Sequence, residues 1–132
     1  MTPAQHPDLV RLARCALVCN DAQLHNGPDG VWTLAGDPTE GALLTLAQKA
    51  GLQHEQTEDA FPRIAAIPFE SQHRFMATLH RDATGRVFAL LKGAPERVIA
   101  LCTRDVNGQA LDAEAWRARV RAAAHQGQRV LA

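Results

Sequence analysis

Aromatic, acidic and basic side chains with ligand-binding chemistry occur in separated segments of the sequence. They are Glu40, Phe69, Arg74, Lys92 and Arg129, and Gly93 follows the lysine directly. An aromatic ring can stack on a nucleobase, and a carboxylate can accept a hydrogen bond from an exocyclic amine. Cations can face phosphates, and a glycine lets the backbone approach a ligand closely. As a set, these residues supply what an adenine nucleotide needs.

Each of these residues also has a simpler interpretation when it is taken alone. Phe69 could be a core residue, and Arg74 could be a solvated strand residue. Glu40 lies three residues after a helix N-cap, where a capping box would place it. Lys92 could be a loop cation. Only their combination favours a nucleotide site.

Other chemistries find less support in the sequence. Cys15 and Cys19 would share a helix face, but no histidine falls at a matching spacing for zinc, and both fit small core positions. Ser71 lies close to His73 without the Gly-x-Ser-x-Gly elbow of a nucleophilic serine. The Walker and dinucleotide-binding glycine motifs do not occur. We therefore predict no metal site and no catalytic residue in this chain.

Composition limits the class of protein. A chain of 132 residues suggests one domain with a real core, and no apolar run is long enough to cross a membrane. Lys and Arg balance Asp and Glu at 14 each, which argues against nucleic acid or an anionic membrane surface as a partner. Three cysteines without Cys-x-x-Cys spacing fit a reducing compartment.

Helical periodicity and end signals predict four helices. The second is marked at both ends, because Asp37 is a good N-cap, Pro38 suits the first helical position and Gly51 suits the end. Residues 1–7 are expected to precede the first helix, and the polar residues 52–60 are expected to form a loop. The predicted helices run from Asp8 to about Asn20, from Pro38 to Gly51, from Ala94 to Cys102 and from Asp112 to near Gly127.

Three consecutive segments have strand character, and a turn at residues 82–85 joins the last two. Strands joined by short turns must pair antiparallel. The predicted fold class is α+β, a mainly antiparallel sheet flanked by helices. The predicted strands are Phe61–Phe69, Arg74–His80 and Arg86–Lys92, with a short one at Val31–Leu34, a tight turn at Asn107-Gly108 and the opening of another strand at Gln128–Ala132.

Four ordered motifs resemble the nucleotide-binding domain of type II P-type ATPases, the cation pumps that include calcium and sodium pumps. They are GDPTEGALLTLAQKAG (36–51), IPFESQHRFM (67–76), LLKGAPERVIALC (90–102) and GQRVLA (127–132). VCNDA (18–22) also resembles the end of that domain's first helix. The likeness covers nearly the whole chain, which is shorter than the same domain in animal calcium pumps and so resembles a minimal, bacterial version.

The resemblance implies roles at the base end of a bound ATP. Phe69 matches the aromatic residue that stacks on adenine, and Glu40 matches the acidic residue near the adenine amino group. Lys92, with Gly93 beside it, matches the lysine that lines the adenine pocket. The residues that the resemblance assigns to this end are Thr39, Glu40, Phe69, Met76, Lys92, Gly93, Ala94 and Leu131.

The resemblance also implies two cations near the phosphates. Arg129 matches a late arginine that reaches them. Arg74 stands where many members carry a lysine, and His73 before it aligns with a basic position. A planar guanidinium keeps the charge of the lysine, but it does not keep the geometry of a compact ammonium.

By this resemblance, the chain is expected to bind Mg-ATP and to present its γ-phosphate to the phosphorylation domain of the same parent chain. The Asp-Lys-Thr-Gly-Thr segment that takes the phosphate does not occur in the sequence, so essentially no hydrolysis is expected. We expect residues 1–132 to be one monomeric cytoplasmic domain of a cation pump in the cell membrane, without nucleic-acid or direct membrane contact.

Two other functions stay open at this point. The chain could keep the fold without the ligand and act as a partner-binding or regulatory module. It could also be a free-standing phosphatase or phosphotransferase that uses an aspartate such as Asp37, although that residue already has a helix-capping role.

Overall fold

The computed structural model describes residues 6–132, in which helices flank antiparallel sheets. This confirms the predicted α+β class. β1 and β2 form a two-stranded sheet, and the order of the other sheet is β3-β4-β5. The elements are α1 (Pro7–Val18), β1 (Gln23–Asn26), β2 (Trp32–Ala35), α2 (Pro38–Lys49), α3 (His54–Ala60), β3 (Arg63–Ile67), β4 (Phe75–Arg81), β5 (Val87–Gly93), α4 (Pro95–Leu101) and α5 (Ala113–His125).

The chain divides into two compact units. The first takes in the chain up to Ala65 together with Thr78–Leu90, and the second comprises Ala66–Ala77 and Leu91–Ala132. Helix α1 packs on α2 in the first unit, and the buried cluster between them consists of Leu17, Val18, Ala22, Leu44 and Ala47. Burial of these apolar side chains stabilises that unit.

The predicted helix ends are confirmed by their capping bonds. The Asp37 carboxylate accepts hydrogen bonds from the amides of Thr39 and Glu40, at 2.7 and 3.4 Å, and so satisfies the first turn of α2. Gly51 ends α2 at a φ of 82°, a left-handed conformation that glycine adopts without steric cost. The amide of Gly127 donates to the Ala124 carbonyl at 2.9 Å in the same kind of end to α5.

Two segments differ from their prediction. The predicted loop over 52–60 is wrong, because His54–Ala60 is the helix α3. Thr57 is the only buried residue that α3 contains, so hydrophobic periodicity could not reveal the helix. Strand β1 was not predicted either, since Gln23–Asn26 is a polar segment.

The two ends of the chain also depart from prediction. Residues 1–7 were expected to precede the first helix. Residues 1–5 lie outside the described part of the chain, and Pro7 is already the first residue of α1. The prediction that a strand begins at Gln128–Ala132 is wrong, because these residues form no strand. Ala132 nevertheless exchanges two backbone hydrogen bonds with Gly93, at 2.8 and 3.1 Å.

The predicted turn between β4 and β5 is held by one aspartate. The Asp82 amide donates to the Arg86 carbonyl at 3.0 Å. Oδ1 of Asp82 accepts from the Thr84 hydroxyl at 2.6 Å and from the Thr84 and Arg86 amides at 3.0 Å. These donors, the hydroxyl foremost, stabilise the charged carboxylate and lower the pKa of Asp82.

We expect Thr84→Ala to raise the pKa of Asp82 towards the ordinary aspartate value, because the strongest donor is lost. Since folding lowers this pKa, the group stabilises the fold above its unfolded pKa, and that contribution is lost as the pH falls through the folded value. Carboxyl ¹³C NMR against pH measures the pKa, and Thr84→Ser, which keeps the hydroxyl, is the control. An unchanged pKa in Thr84→Ala would contradict the assignment.

Candidate functional site

Three backbone segments that carry predicted site residues meet in the second unit. The amide of Ala94 donates to the Arg74 carbonyl at 2.8 Å, and the amide of Gly93 donates to the Ala132 carbonyl at 2.8 Å. The amide of Ala132 returns a hydrogen bond to the Gly93 carbonyl at 3.1 Å. The structure therefore places the segments 74–76, 92–94 and 129–132 side by side.

Gly93 lies at the centre of this junction, and its neighbours leave no room for a side chain. A Cβ built on Gly93 would lie 2.6 Å from both Cα and Cβ of Phe75, and closer still to the Arg74 carbonyl oxygen. Real Cβ atoms essentially never come so near to other heavy atoms. The glycine is thus required by the protein's own backbone packing, in addition to any close approach of a ligand.

Phe69 directly precedes the turn that leads into β4. The amides of His73 and Arg74 both donate to the Glu70 carbonyl, at 3.0 and 2.7 Å, and these bonds close the turn. The Phe69 side chain is 59% exposed, so the alternative of a core residue is wrong. An exposed ring of this kind is available for stacking.

Arg74 has a strained backbone and a held side chain. Its φ of 59° is the only positive value for a non-glycine residue between His6 and Ala132. Such a conformation costs about 1–3 kcal/mol and persists only where the surroundings hold it. Nη1 of Arg74 lies 2.7 Å from Oε1 of Glu96, and Nε of Arg97 donates to the His73 carbonyl at 3.1 Å. We did not predict Glu96 or Arg97 as contacts of this loop, although only Pro95 separates them from the Lys-Gly-Ala motif.

The remaining predicted residues of the second unit differ in exposure. Met76 is buried, whereas Lys92, Ala94 and Leu131 are half-buried and Arg129 is exposed. Arg129 and Leu131 follow the end of α5 and reach the junction through the pairing of Ala132 with Gly93. Ten residues were predicted to bind the nucleotide, and the eight besides Thr39 and Glu40 belong to the second unit.

Thr39 and Glu40 lie in the first unit, in the first turn of α2. The Glu40 carbonyl accepts a hydrogen bond from Nδ2 of Asn20 at 3.0 Å. The same amide donates to the Ala16 carbonyl at 3.0 Å, and Oδ1 of Asn20 accepts from the Ala22 amide at 2.9 Å. Asn20 therefore joins the end of α1 to the start of α2 and fixes the backbone of Glu40.

Two carbonyls at and just after the end of α1 accept hydrogen bonds from an arginine of β3. Nη2 of Arg63 donates to the Val18 carbonyl at 3.0 Å and to the Asn20 carbonyl at 2.6 Å. Nη1 lies 2.6 Å from Oδ1 of Asp21. A cation at a helix C-terminus is favourable, because carbonyl oxygens there carry partial negative charge. Sequence spacing gave no signal for this contact.

The first unit also contains a cavity of about 350 Å³. It is lined by Val18, Glu58, Asp59, Phe61, Pro62, Arg63 and His80. His80 Nδ1 donates to the Phe61 carbonyl at 2.8 Å, so in the neutral ring Nε2 accepts from the Thr78 hydroxyl at 2.8 Å. Both ring nitrogens of His80 and the guanidinium of Arg63 therefore already hydrogen-bond to other groups of the protein. None of the residues predicted to bind the nucleotide lines this cavity.

The described part of the chain contains neither a metal-binding cluster nor a helix that could cross a membrane. Between His6 and Ala132, no three His, Cys, Asp or Glu residues cluster closely enough to hold a metal ion. Cys19 is buried and Cys15 is half-buried, as small residues near a core would be. None of the helices in residues 6–132 combines the length and the apolar character that a membrane span requires.

The family model described as "P-type ATPase, cytoplasmic domain N" matches residues 8–132. The chain belongs to this family. The predicted resemblance to the corresponding domain of type II pumps is confirmed, and so is the predicted assignment to a cytoplasmic domain of a membrane ATPase.

Curated relatives come from bacteria and mammals. The "Probable cation-transporting ATPase F" of Mycobacterium tuberculosis is 52% identical over 84 residues, which cover 63% of this chain and 9% of that protein. The "Cation-transporting ATPase pma1" of Synechocystis is 41% identical over 131 residues, covering 96% and 14%. The human "Calcium-transporting ATPase type 2C member 1" is 41% identical over 101 residues, covering 74% and 10%. The chain thus spans only 9–14% of the length of these relatives.

Proposed function

We propose that this chain binds Mg-ATP and presents the γ-phosphate to the phosphorylation domain of the same parent chain, a cation-transporting P-type ATPase. The observation that carries this proposal is the backbone pairing of Ala94 with Arg74 and of Gly93 with Ala132 in the second unit. That pairing sets the segments of three family motifs side by side. The exposed Phe69 belongs to the first of these motifs and lies between β3 and β4.

Each residue has a role in this proposal. Phe69 stacks on adenine, Lys92 lines the base pocket, and Glu40 accepts from the adenine amino group. Arg74 and Arg129 neutralise phosphate charge as hydrogen-bonding cations. Mg²⁺ arrives on the phosphates of the nucleotide as part of the substrate.

The chain contributes positioning to the reaction and does not form the phosphorylated intermediate itself. Phosphoryl transfer depends mostly on positioning and charge neutralisation. Because the sequence holds no Asp-Lys-Thr-Gly-Thr segment, we expect the isolated chain to bind ATP and to hydrolyse essentially none. Labelling of this chain by radioactive ATP as an aspartyl-phosphate would instead support the phosphotransferase alternative at Asp37.

An ATP titration followed by amide NMR shifts tests the proposal. We expect the amide resonances of Phe69, Lys92 and Glu40 to shift when ATP reaches millimolar concentration. We expect Phe69→Ala to weaken ATP binding about tenfold, because base stacking on an aromatic ring contributes ~1–3 kcal/mol. Trp116→Ala is the matched control, since Trp116 is the other exposed large aromatic of the second unit, 46% exposed.

Two results would contradict the proposal. One is the absence of shifts at these residues, and the other is equal ATP affinity in Phe69→Ala and the unmodified chain. If ATP, ADP and AMP all bound equally poorly and the Phe69 and Lys92 variants behaved alike, the chain would fit a partner-binding module instead.

A further inference from the structure

The start of α4 holds the loop that leads into β4 at three points. The amide of Ala94 donates to the Arg74 carbonyl, and Nε of Arg97 donates to the His73 carbonyl. Both contacts fix the backbone of the loop. The third contact, from Nη1 of Arg74 to Oε1 of Glu96 at 2.7 Å, instead fixes the direction of a side chain. The guanidinium of Arg74 is therefore engaged by a carboxylate of the protein itself.

This ion pair is accessible to a competing anion. The side chains of Arg74 and Glu96 are 53% and 52% exposed. Exposed ion pairs are weak, because water screens their attraction. An arginine can donate two hydrogen bonds to one phosphate, and a triphosphate carries several negative charges against the single charge of a carboxylate. A polyphosphate can therefore displace Glu96 from Arg74, whereas an uncharged nucleoside gains nothing by doing so.

We propose that Glu96 is a specificity-determining residue that acts through Arg74. Its carboxylate pairs with the guanidinium, so phosphates that bind Arg74 must displace it, and it also repels them as a like charge. Glu96 thus lowers the affinity for the phosphate part of the ligand and leaves the base part unaffected. This inference rests on the proposed nucleotide function, and it adds the residue that opposes phosphate binding at the same site.

The test compares ATP with adenosine in the Glu96→Gln variant, which keeps the size of the side chain and removes its charge. We expect its affinity for ATP to rise about fivefold, near the upper limit for an exposed ion pair, and its affinity for adenosine to stay within about twofold. Amide NMR titration of the whole chain measures both. Glu114→Gln is the matched control, because Glu114 is also exposed and paired with an arginine, Arg121, at 2.8 Å.

A variant at Arg74 tests whether Glu96 acts through that residue. In an Arg74→Gln background, we expect Glu96→Gln to raise ATP affinity by clearly less than in the unmodified chain. Glu96→Ala should change ATP affinity in the same direction as Glu96→Gln. Unchanged amide spectra of the nucleotide-free variants establish that the fold is retained.

The possible outcomes separate this inference from the proposed function. An unchanged or lower ATP affinity in Glu96→Gln would overturn the inference, and so would an equal gain for adenosine or in Glu114→Gln. If the unmodified chain shows ATP-dependent shifts at Phe69 in that case, the nucleotide function still stands. If the unmodified chain shows no ATP-dependent shifts at all, the proposed function and the inference fail together.

Discussion

Replacing Gly93 by alanine is expected to lower the free energy of unfolding by about 3 kcal/mol, the upper end for overpacking a tightly packed site. The added Cβ would lie 2.6 Å from Cα and Cβ of Phe75. These neighbours are backbone and near-backbone atoms, so no flexible side chain can swing away to make room. The strand ends must separate, which weakens the hydrogen bonds of Gly93 with Ala132 and of Ala94 with Arg74.

Gly108→Ala is the control for Gly93→Ala, and urea unfolding measures both. Apart from Gly108 itself and its two chain neighbours, no heavy atom of the described residues lies within 4 Å of a Cβ built on Gly108, whose φ is 78°. The substitution there costs only the left-handed conformation, about 1 kcal/mol. If Gly93→Ala destabilises the chain no more than Gly108→Ala, the backbone of residues 74–75 does not pack closely against Gly93 in solution.

Asn20→Ala is expected to lower the free energy of unfolding by about 3 kcal/mol, because it removes three hydrogen bonds in a buried place. Asn20 is 6% exposed. Without its amide, the carbonyls of Ala16 and Glu40 and the amide of Ala22 lose their side-chain partner. We also expect the Glu40 amide resonance to shift, since the start of α2 is no longer tied to the end of α1.

Asn20→Asp separates the donor role of this side chain from its volume. The aspartate keeps an oxygen for the Ala22 amide, but it replaces the donating NH₂ by an oxygen that faces two carbonyls. We expect it to be at least as destabilising as Asn20→Ala in urea unfolding, because buried oxygens then repel one another. Stability equal to that of the unmodified chain would show that the bonds to Ala16 and Glu40 contribute nothing.

The elements with local signals were predictable from the sequence. Asp37, Pro38 and Gly51 mark the ends of α2 because capping depends on residues within a few positions of the helix end. The same reasoning explains the success at Asp112, whose carboxylate accepts from the Ala115 amide at 2.9 Å. The helix α3 was missed because its pattern is polar on nearly every face.

The contacts that position the candidate site were not predictable, because they join segments that are distant in sequence. Asn20 bonds to Glu40 across 20 positions, and Arg63 bonds to the carbonyl of Val18 across 45. The Arg74–Glu96 pair likewise depends on a side chain direction that spacing does not specify. The predicted nucleotide residues came from family motifs, and their roles remain predictions.

The most direct test of nucleotide binding is an intermolecular NOE between adenine and a phenylalanine ring. The chain has four Phe and no Tyr, so its aromatic resonances can be assigned residue by residue. We predict NOEs from the adenine H2 and H8 protons of ATP to the ring of Phe69. The contradicting result would be NOEs to the ring of Phe61, which lines the cavity of the first unit, or no NOE to Phe69 at saturating ATP.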